Sequence, residues 1–430
     1  MTGRSSETGQ SRAWITRGSP RAVGQALLKA GAFDLAAVAL RQALSDTPDD
    51  SDLLLDLSAL AERAGDQAEA RRLAERAVAI RPFNPPTPAE DGPVIWKLRC
   101  IDSGAWKLKR TRGAWGRRFR GGHFSTRHLL RGSGLSPQIA SLCGGRTQVL
   151  DRSPAPDLII NAIACADRGA EVLKALAAWT SGRPELQVIN PPERVALTTR
   201  DENARRLGRL DGVRFPRTLR LPAGTRGPRA WELIREVGLS PPLILRESGR
   251  QTGRATELCE SAEDLSDALA RAAPDRDHYV VEYLDTRDGE GRFRKMRAFA
   301  IDGRVYPVSC LTSDHWQIHS RDRYRLMDKD EATQAREQAY LADPPSVVGD
   351  AVWSALGRVF ETLGLDFAGA DFTVDRDGRL VVFEANPAMR HNFDHAGAFP
   401  YTRPHLERVS EAFTAMVRSR ARAAPSEATS

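Results

Sequence analysis

The 430-residue sequence predicts an all-α segment of helical repeats followed by an α/β body. Three observations lead to this fold class. The N-terminal part repeats itself without a gap, a proline-rich linker follows at residues 83–93, and beyond it short apolar runs alternate with helical stretches. A chain of this length is too long for one hydrophobic core, so we expect two or three domains.

The composition is that of a globular protein, with 41% hydrophobic and 28% charged residues. No apolar run approaches the ~18 residues that a membrane span needs, and the polar start of the sequence lacks the apolar core of a secretory signal. The five cysteines are far apart and form no C-x-x-C pair, which argues against a zinc site or a disulfide framework. We therefore expect a cytoplasmic protein.

Residues 20–82 are expected to form two helical repeats. The segments 26–48 and 60–82 align at a spacing of 34 residues, with a glycine between the two helices of each unit and a proline at its end. This period and punctuation resemble the tetratricopeptide repeat. Two units cannot bury a solenoid core alone, so we expect them to pack against the chain that follows. A structural prop and a platform for a protein partner are equally open as their role.

The segment 106–131 concentrates much of the net charge of +7, because it holds many Lys and Arg and no acidic residue. Interleaved aromatic residues make nucleic acid one possible partner. A groove for an acidic substrate, such as a peptide leader, and a flexible segment are the other interpretations. No helix-turn-helix, zinc or RNA-binding signature accompanies the segment, so nucleic acid is the least favoured of the three.

The body is expected to contain a smaller α/β substrate lobe at residues 94–195 and a larger lobe at residues 196–421. Residues 1–12 and 422–430 are expected to be disordered. The predicted elements are strands at 156–164 and 186–190, a helix at 198–210, a strand at 241–247, a helix at 261–273, strands at 278–284, 293–301 and 304–310, a helix at 346–364, and a final hairpin turning at 375–378.

The end of the last predicted strand, in the stretch RLVVFEANPAMRHNF (379–393), carries two oxygen donors. Glu384 and Asn386 are two residues apart on an extended chain and so share a face. Asp371, on the preceding strand GADFTV, comes near the same end when the two strands pair. Oxygen donors without His or Cys suit Mg²⁺. The alternative is a solvated strand end.

A magnesium site of this kind implies a polyphosphate ligand. The sequence has neither a P-loop nor a G-x-G-x-x-G fingerprint. It has instead the stretch LILRESGRQTGRAT, in which Gly249 and Gly253 let backbone N–H groups approach phosphate, and Arg246 and Arg254 supply positive charge. An ordinary flexible hairpin is the alternative for this loop.

The order of these motifs resembles the ATP-grasp ligases, in particular glutathione synthetase-like and ribosomal-protein-modifying members. The resemblance covers roughly residues 156–395 and is most specific at GADF…VVFEANP. It implies an α+β fold of two lobes around ATP, with Asp371, Glu384 and Asn386 as the magnesium ligands. One departure is Arg246, which stands where relatives usually carry Lys.

The resemblance also implies roles for other residues. Arg297 would stabilise the transferring phosphoryl group, and Arg390 would face the acyl phosphate or the substrate. The residues implied to bind ATP are Arg246, Gly249, Gly253, Arg254, Glu282, Tyr283, Leu284 and Lys295. The weaker candidates for substrate contact are His123, Arg127, Asn161 and His391.

The function that the resemblance implies is an ATP-dependent carboxylate–amine ligase. Such an enzyme uses ATP and Mg²⁺ and forms an amide bond through an acyl phosphate, here on a small molecule, a peptide or a natural-product precursor. The alternative is a degenerate nucleotide-binding module whose helical repeats bind a protein partner. Neither nucleic acid nor a membrane is expected as a partner.

Overall fold

The computed structural model describes residues 18–85, 92–250 and 256–422. The predicted disordered ends lie outside these residues, apart from the backbone of Arg422, and so does part of the predicted linker. Gly253 and Arg254 of the predicted phosphate loop also lie outside them. None of the described helices has the length and apolarity to cross a membrane.

Four helices form the N-terminal segment, and glycines separate them as the repeat predicts. The helices are α1 Pro20–Ala30, α2 Phe33–Asp46, α3 Ser51–Ala64 and α4 Gln67–Ile80. Gly31 and Gly65, the two aligned glycines, end α1 and α3 with φ of 90° and 87°. Only glycine adopts this left-handed conformation without strain, which explains its place in both units.

The smaller lobe is a parallel sheet of order β4-β1-β5-β6. Its strands are β1 Ile95–Cys100, β4 Gln138–Leu142, β5 Leu158–Asn161 and β6 Val188–Ile189. Between β1 and β4 the chain forms a separate hairpin, β2 Ala105–Thr111 and β3 Ala114–Arg120, followed by the short helix α5 Thr126–Leu129. The basic segment 106–131 therefore consists mainly of this hairpin and helix. The lobe is completed by helices α6 Ala170–Ser181 and α7 Pro192–Ala196.

The helical repeats pack on the hairpin rather than standing free. Leu53 and Leu57 of α3 share one hydrophobic core with Trp106 of β2 and with Cys143 after β4. This contact supplies the surface that two repeats need in order to bury their apolar face.

A second, antiparallel sheet of order β10-β9-β11-β8 begins the larger lobe. Its strands are β8 Thr218–Leu221, β9 Leu243–Glu247, β10 Thr256–Cys259 and β11 His278–Glu282. Helix α8 Arg200–Leu207 precedes this sheet, and helices α9 Gly227–Glu236 and α10 Ala262–Arg271 bury its apolar face.

A third sheet has the order β13-β12-β14-β15-β7, antiparallel except at β7. Its strands are β7 Val213–Arg214, β12 Phe293–Ile301, β13 Arg304–Ser313, β14 Phe367–Val374 and β15 Leu380–Asn386. The helices around it are α11 Glu331–Ala342, α12 Pro344–Val348, α13 Asp350–Leu363 and α14 Arg403–Arg422. The single helix predicted at 346–364 is divided in two, because Gly349 has a φ of 87° that no helix accommodates.

The predicted fold class, helical repeats followed by an α/β body, is confirmed by this architecture. The larger lobe holds two antiparallel sheets, and one cavity is lined by both of them. Residues of the smaller lobe and of α8 line the same cavity. The fold therefore brings the ends of three sheets and one helix to a common space.

Candidate functional site

The third sheet places three predicted site residues side by side. Asp371 on β14 is paired in register with Glu384 on β15 and with Arg297 on β12. Residues paired across antiparallel strands point to the same face of the sheet. One face therefore carries a carboxylate, a guanidinium and a second carboxylate in a row.

A β-bulge decides which face Glu384 occupies. Phe383 has no partner in the register between β14 and β15, which shifts between Val382 and Glu384. Val382 faces the main core before the bulge and Ala385 faces it after the bulge. On an unbroken strand Glu384 would share the core face of Val382. The extra residue turns Glu384 and Asn386 to the opposite face.

Asp371 is buried, with 7% of its side chain exposed, and forms a two-pronged ion pair with Arg297. Arg297 Nε donates to Oδ1 at 2.6 Å, and Nη2 donates to Oδ2 at 2.8 Å. Lys295 Nζ lies 3.4 Å from Oδ2. Burial alone would raise the pKa of Asp371, but Arg297 and Lys295 hold it at about 2. The carboxylate is therefore ionised at neutral pH.

Glu384 is held from another direction. Arg200 Nη2 at the start of α8 lies 3.3 Å from Glu384 Oε1, and Asn386 Nδ2 donates to the same oxygen at 3.0 Å. Asn386 Oδ1 accepts from the N–H of Ala388 at 2.8 Å. Burial favours a higher pKa for Glu384, yet Arg200 and Arg246 bring it below its usual value.

The donor set fits Mg²⁺ held jointly with phosphate. Asp371, Glu384 and Asn386 offer only oxygens, and each carboxylate has about four lone-pair sites. Glu384 Oε2 accepts no hydrogen bond from the described residues, so anionic capacity remains. Among those residues no group of three or more His, Cys, Asp or Glu could hold a metal. A cation here would therefore need phosphate oxygens and water to complete its coordination, which is the mode Mg²⁺ prefers.

Arg246 on β9 points across to this face from the second sheet. Its Nη2 donates to the backbone oxygen of Arg250 at 2.6 Å. Burial lowers the pKa of Arg246 to about 10, and the nearby Arg200 adds to the effect. Gly249, three residues on, has a φ of 67° and lies so close to Arg168 that a Cβ could not be added. Of the neighbouring pair Arg200 and Arg246, only Arg200 has a carboxylate ion-pair partner, Glu384, among the described residues.

A network of hydrogen bonds and ion pairs, which was not predicted from the sequence, lies at the side of the cavity that faces the smaller lobe. Arg220 Nη2 donates to Asp167 Oδ1 at 2.6 Å, and Arg220 Nε donates to Asp201 Oδ2 at 2.9 Å. The hydroxyl of Tyr279 donates to Asp167 Oδ1 at 2.5 Å, and Asp167 Oδ2 accepts from the N–H of Gly249 at 3.2 Å. A signal for Asp167 was its place after β5, since ligands bind at the carboxyl ends of parallel strands.

A cavity of about 60 Å³, the cleft, lies beside these groups, and Asp371, Arg297 and Lys295 lie outside its lining. It is lined by Asp167 from the smaller lobe, Arg200 from α8, Arg246 from the second sheet, and Glu384 and Asn386 from the third. This volume holds only a few water molecules. A larger ligand would need the sheets that line the cleft to move apart.

The residues predicted to hold adenine and ribose lie at the end of β11. Glu282 Oε2 accepts from the N–H of Arg217 at 3.1 Å, and the ring of Tyr283 meets Trp316 edge-on with centroids 6.2 Å apart. Leu284 is buried. None of the three predicted residues lines the cleft, so their contact with a nucleotide stays a prediction.

Arg390 and His391 follow β15 but do not line the cleft. Arg390 is exposed and pairs with Asp394 at 2.7 Å. His391 is buried, and its Nε2 lies 3.0 Å from Ser410 Oγ on α14. Their predicted roles in catalysis and substrate contact stay predictions.

The remaining substrate candidates lie in the smaller lobe, also outside the lining of the cleft. Asn161 is fully buried and donates to the backbone oxygen of Asn190 at 2.9 Å, so it holds two strands in place. His123 Nδ1 lies 2.7 Å from the backbone oxygen of Gly121, and burial lowers its pKa to about 4. Arg127 is exposed.

Comparison with known proteins gives one family match and two structural likenesses. Residues 27–86 match the family model of the tetratricopeptide repeat, which confirms the predicted repeats. No curated protein matches the sequence. The chain is similar to the D-alanine–D-alanine ligase from Bacillus anthracis, with 12% identity over 76% of this chain and 99% of that chain and a TM-score of 0.42. For the D-alanine–D-alanine ligase from Coxiella burnetii the values are 10%, 74%, 76% and 0.38.

Proposed function

We propose that the chain is an ATP-dependent carboxylate–amine ligase that forms an amide bond through an acyl phosphate. The observation that carries the proposal is the pairing of Asp371 with Glu384 on the face that also bears Arg297. The proposal rests on this geometry and on the residue pattern, and not on the two structural likenesses.

The charges of the cleft suit a polyphosphate. Arg246 is buried, and the charge of the nearby Arg200 further disfavours its charged form. Phosphate oxygens placed between them would relieve this repulsion and would bind guanidinium groups in a bidentate manner. An Arg in place of Lys at position 246 still supplies such a fork, although it can never act as a base.

Asp371, Glu384 and Asn386 would hold Mg²⁺, which supplies charge neutralisation for the phosphate groups when it is bound. Asp371 also positions Arg297 through two hydrogen bonds. A guanidinium fixed in this way pays no reorganisation cost when negative charge develops on the phosphoryl group.

The reaction would proceed in two displacements. An oxygen of the substrate carboxylate attacks the terminal phosphorus of ATP, the bond to ADP breaks, and an acyl phosphate forms. The substrate amine then attacks the acyl carbon, loses a proton and expels inorganic phosphate, which leaves the amide. Exclusion of water from the closed cleft would protect the acyl phosphate from hydrolysis.

Calorimetric titration with ATP, with and without Mg²⁺, tests the nucleotide part of the proposal. We expect ATP to bind at least tenfold more tightly with Mg²⁺, because the carboxylates of the cleft repel bare phosphate. The control variant is Asp377→Asn, which changes an exposed residue in the turn between β14 and β15. It should bind ATP like the wild type.

A panel of carboxylates and amines, scored by ADP release, tests the ligase part. Release of ADP that requires both an acid and an amine supports the proposal. Tight Mg²⁺-dependent binding without turnover on any pair would favour the degenerate nucleotide-binding module. Absence of nucleotide binding would contradict both.

A further inference from the structure

A second and larger cavity, of about 520 Å³, lies between the helical repeats and the hairpin of β2 and β3. This hairpin cavity has walls from α3, α4, β1 and both hairpin strands. Its volume falls within the range of small-molecule sites, roughly 300 to 1,000 Å³. The cleft residues discussed above take no part in it.

Most charges at the base of the hairpin cavity are already balanced. Arg117 of β3 forms ion pairs with Asp52 and Asp56 of α3, and Arg81 lies 2.7 Å from Asp52. Two guanidinium groups therefore face two carboxylates. Lys29 and Arg118, which also line the cavity, are exposed to solvent.

Arg99 on β1 is the exception. Only 6% of the residue is exposed, and no carboxylate among the described residues pairs with it. Its Nε donates to Ser141 Oγ at 2.9 Å, while Nη1 and Nη2 donate no hydrogen bond to the described residues. The guanidinium carbon lies 4.5 Å from the ring centroid of Trp106 and 4.6 Å from that of Phe119. Two aromatic faces thus orient a buried cation whose two terminal nitrogens have no partner.

The carboxylates that line the hairpin cavity, Asp52 and Asp56, are already paired with Arg81 and Arg117. Lys97, two residues earlier on the same face of β1, is also buried, and its Nζ donates to Thr126 Oγ1 at 3.2 Å. The terminal nitrogens of Arg99 are accessible from the cavity, and two aromatic rings replace only part of what a counter-charge would contribute. An external anion would satisfy Arg99.

The other residues that line the hairpin cavity indicate the chemical class of this anion. Leu28, Leu55, Val78, Trp106 and Trp115 give the hairpin cavity an apolar part of its wall, beside a polar part of similar extent. Arg99 is the one buried guanidinium of the described lining without a carboxylate partner, so a single carboxylate would match it. The planar pair of terminal nitrogens matches the two oxygens of a carboxylate.

We propose that the hairpin cavity binds a monocarboxylate with an apolar body, its carboxylate on the terminal nitrogens of Arg99. Two sources share this chemistry, a free hydrophobic acid and the C-terminal residue of a peptide. The site does not depend on ATP, so its test is independent of the ligase reaction.

The test is calorimetric titration of the full chain, without ATP or Mg²⁺, with two acids and their neutral amides. The free acid is 4-phenylbutyrate and the peptide is N-acetyl-Ala-Ala-Phe; 4-phenylbutyramide and the peptide amide are the matched controls. We expect at least one acid to bind tenfold or more tightly than its amide. Preference confined to 4-phenylbutyrate indicates a free acid, and preference for the peptide acid indicates a chain terminus.

Arg99→Met keeps a flexible apolar stem between the two rings and removes the charge. It should abolish the preference for acid over amide. Arg110→Met removes an exposed arginine of the same hairpin that does not line the cavity, and it should keep the preference. Equal binding of acid and amide by the wild type, no binding of either acid, or a preference that survives in Arg99→Met would each overturn the proposal. The wild-type comparison decides even if Arg99→Met fails to fold.

Discussion

The cleft and the hairpin cavity both contain buried guanidinium groups, but they balance them differently. In the cleft, Arg200 is matched by Glu384, and beside the cleft Arg297 is matched by Asp371. Beside the hairpin, Arg99 meets two aromatic rings and a hydroxyl. The guanidinium groups of Arg200 and Arg297 therefore have carboxylate partners within the protein, whereas that of Arg99 is left to be matched from outside.

The difference shows what each arrangement can do. Carboxylates that pair with arginines can also share a cation with phosphate. The carboxylates at the cleft can therefore exchange an arginine partner for a cation when a ligand enters. A cation without a carboxylate partner can only gain one. Buried ion pairs also affect the free energy of unfolding, because removing one member leaves the charge of the other without a partner.

The largest effect is expected from Glu384→Gln in the cleft. The change keeps the size of the side chain and removes the charge, so the variant should keep the fold, with some loss of stability because Arg200 loses its carboxylate partner. ADP formation should fall on the order of 100-fold or more, because the metal and phosphate charges would no longer be balanced. Asp371→Asn should lose a similar amount, and the double variant should lose little more, because both changes break one site. Turnover at the wild-type rate in Glu384→Gln would show that Glu384 has only a structural role.

An intermediate effect is expected where the repeats meet the hairpin. Arg117→Gln leaves Asp56, with 9% of its side chain exposed, without its cation. The free energy of unfolding should fall by about 2 to 3 kcal/mol, measured by urea denaturation. ATP affinity should not change, because Arg117 does not line the cleft. The matched change Arg118→Gln, at an exposed position, should stay within about 0.5 kcal/mol of the wild type. Equal losses in the two variants would contradict a structural role for the ion pairs.

The smallest effect concerns Lys97, the second buried cation of β1. Burial lowers its pKa to about 8, and Arg99 adds to the shift. The unfolded chain, with a pKa near 10.4, then binds more protons than the folded one above pH 8. The contribution of Lys97 to the free energy of unfolding therefore rises with pH, by about 1.4 kcal/mol between pH 7 and pH 9. Urea denaturation of the wild type and of Lys97→Met at both values isolates this gain as the difference between them. An identical pH dependence in both proteins would show that Lys97 is not shifted.

The sequence was informative wherever a local pattern determines the structure. The 34-residue period gave the repeats, because glycines such as Gly31 must end helices at fixed points. The apolar runs gave β12, β14 and β15 almost residue for residue. The spacing of Glu384 and Asn386 predicted that their side chains lie on the same face of the strand, since side chains alternate on any strand.

The basic segment shows where local pattern was not enough. The absence of acids in 106–131 suggested a ligand-binding groove, a flexible segment or a nucleic-acid partner. The acids that pair with Arg117 of this segment lie about sixty residues earlier, at Asp52 and Asp56 of α3, and only the packing of the repeats on the hairpin brings them together. Charge pairing over such distances leaves no periodic trace in a sequence.

The sequence by itself determined the order of the elements, the repeat, and the residue types at the tip of β15. Only the tertiary structure decided which groups those residues face. The bulge at Phe383 depends on the register between two strands, and a shift of one residue reverses every later side chain. Arg200 and Asp371 lie beside Glu384, and Asp167 lines the same cavity, because three sheets and a helix converge there. Periodicity records the local conformation of a chain, whereas the partner of a buried charge is set by the packing of distant elements.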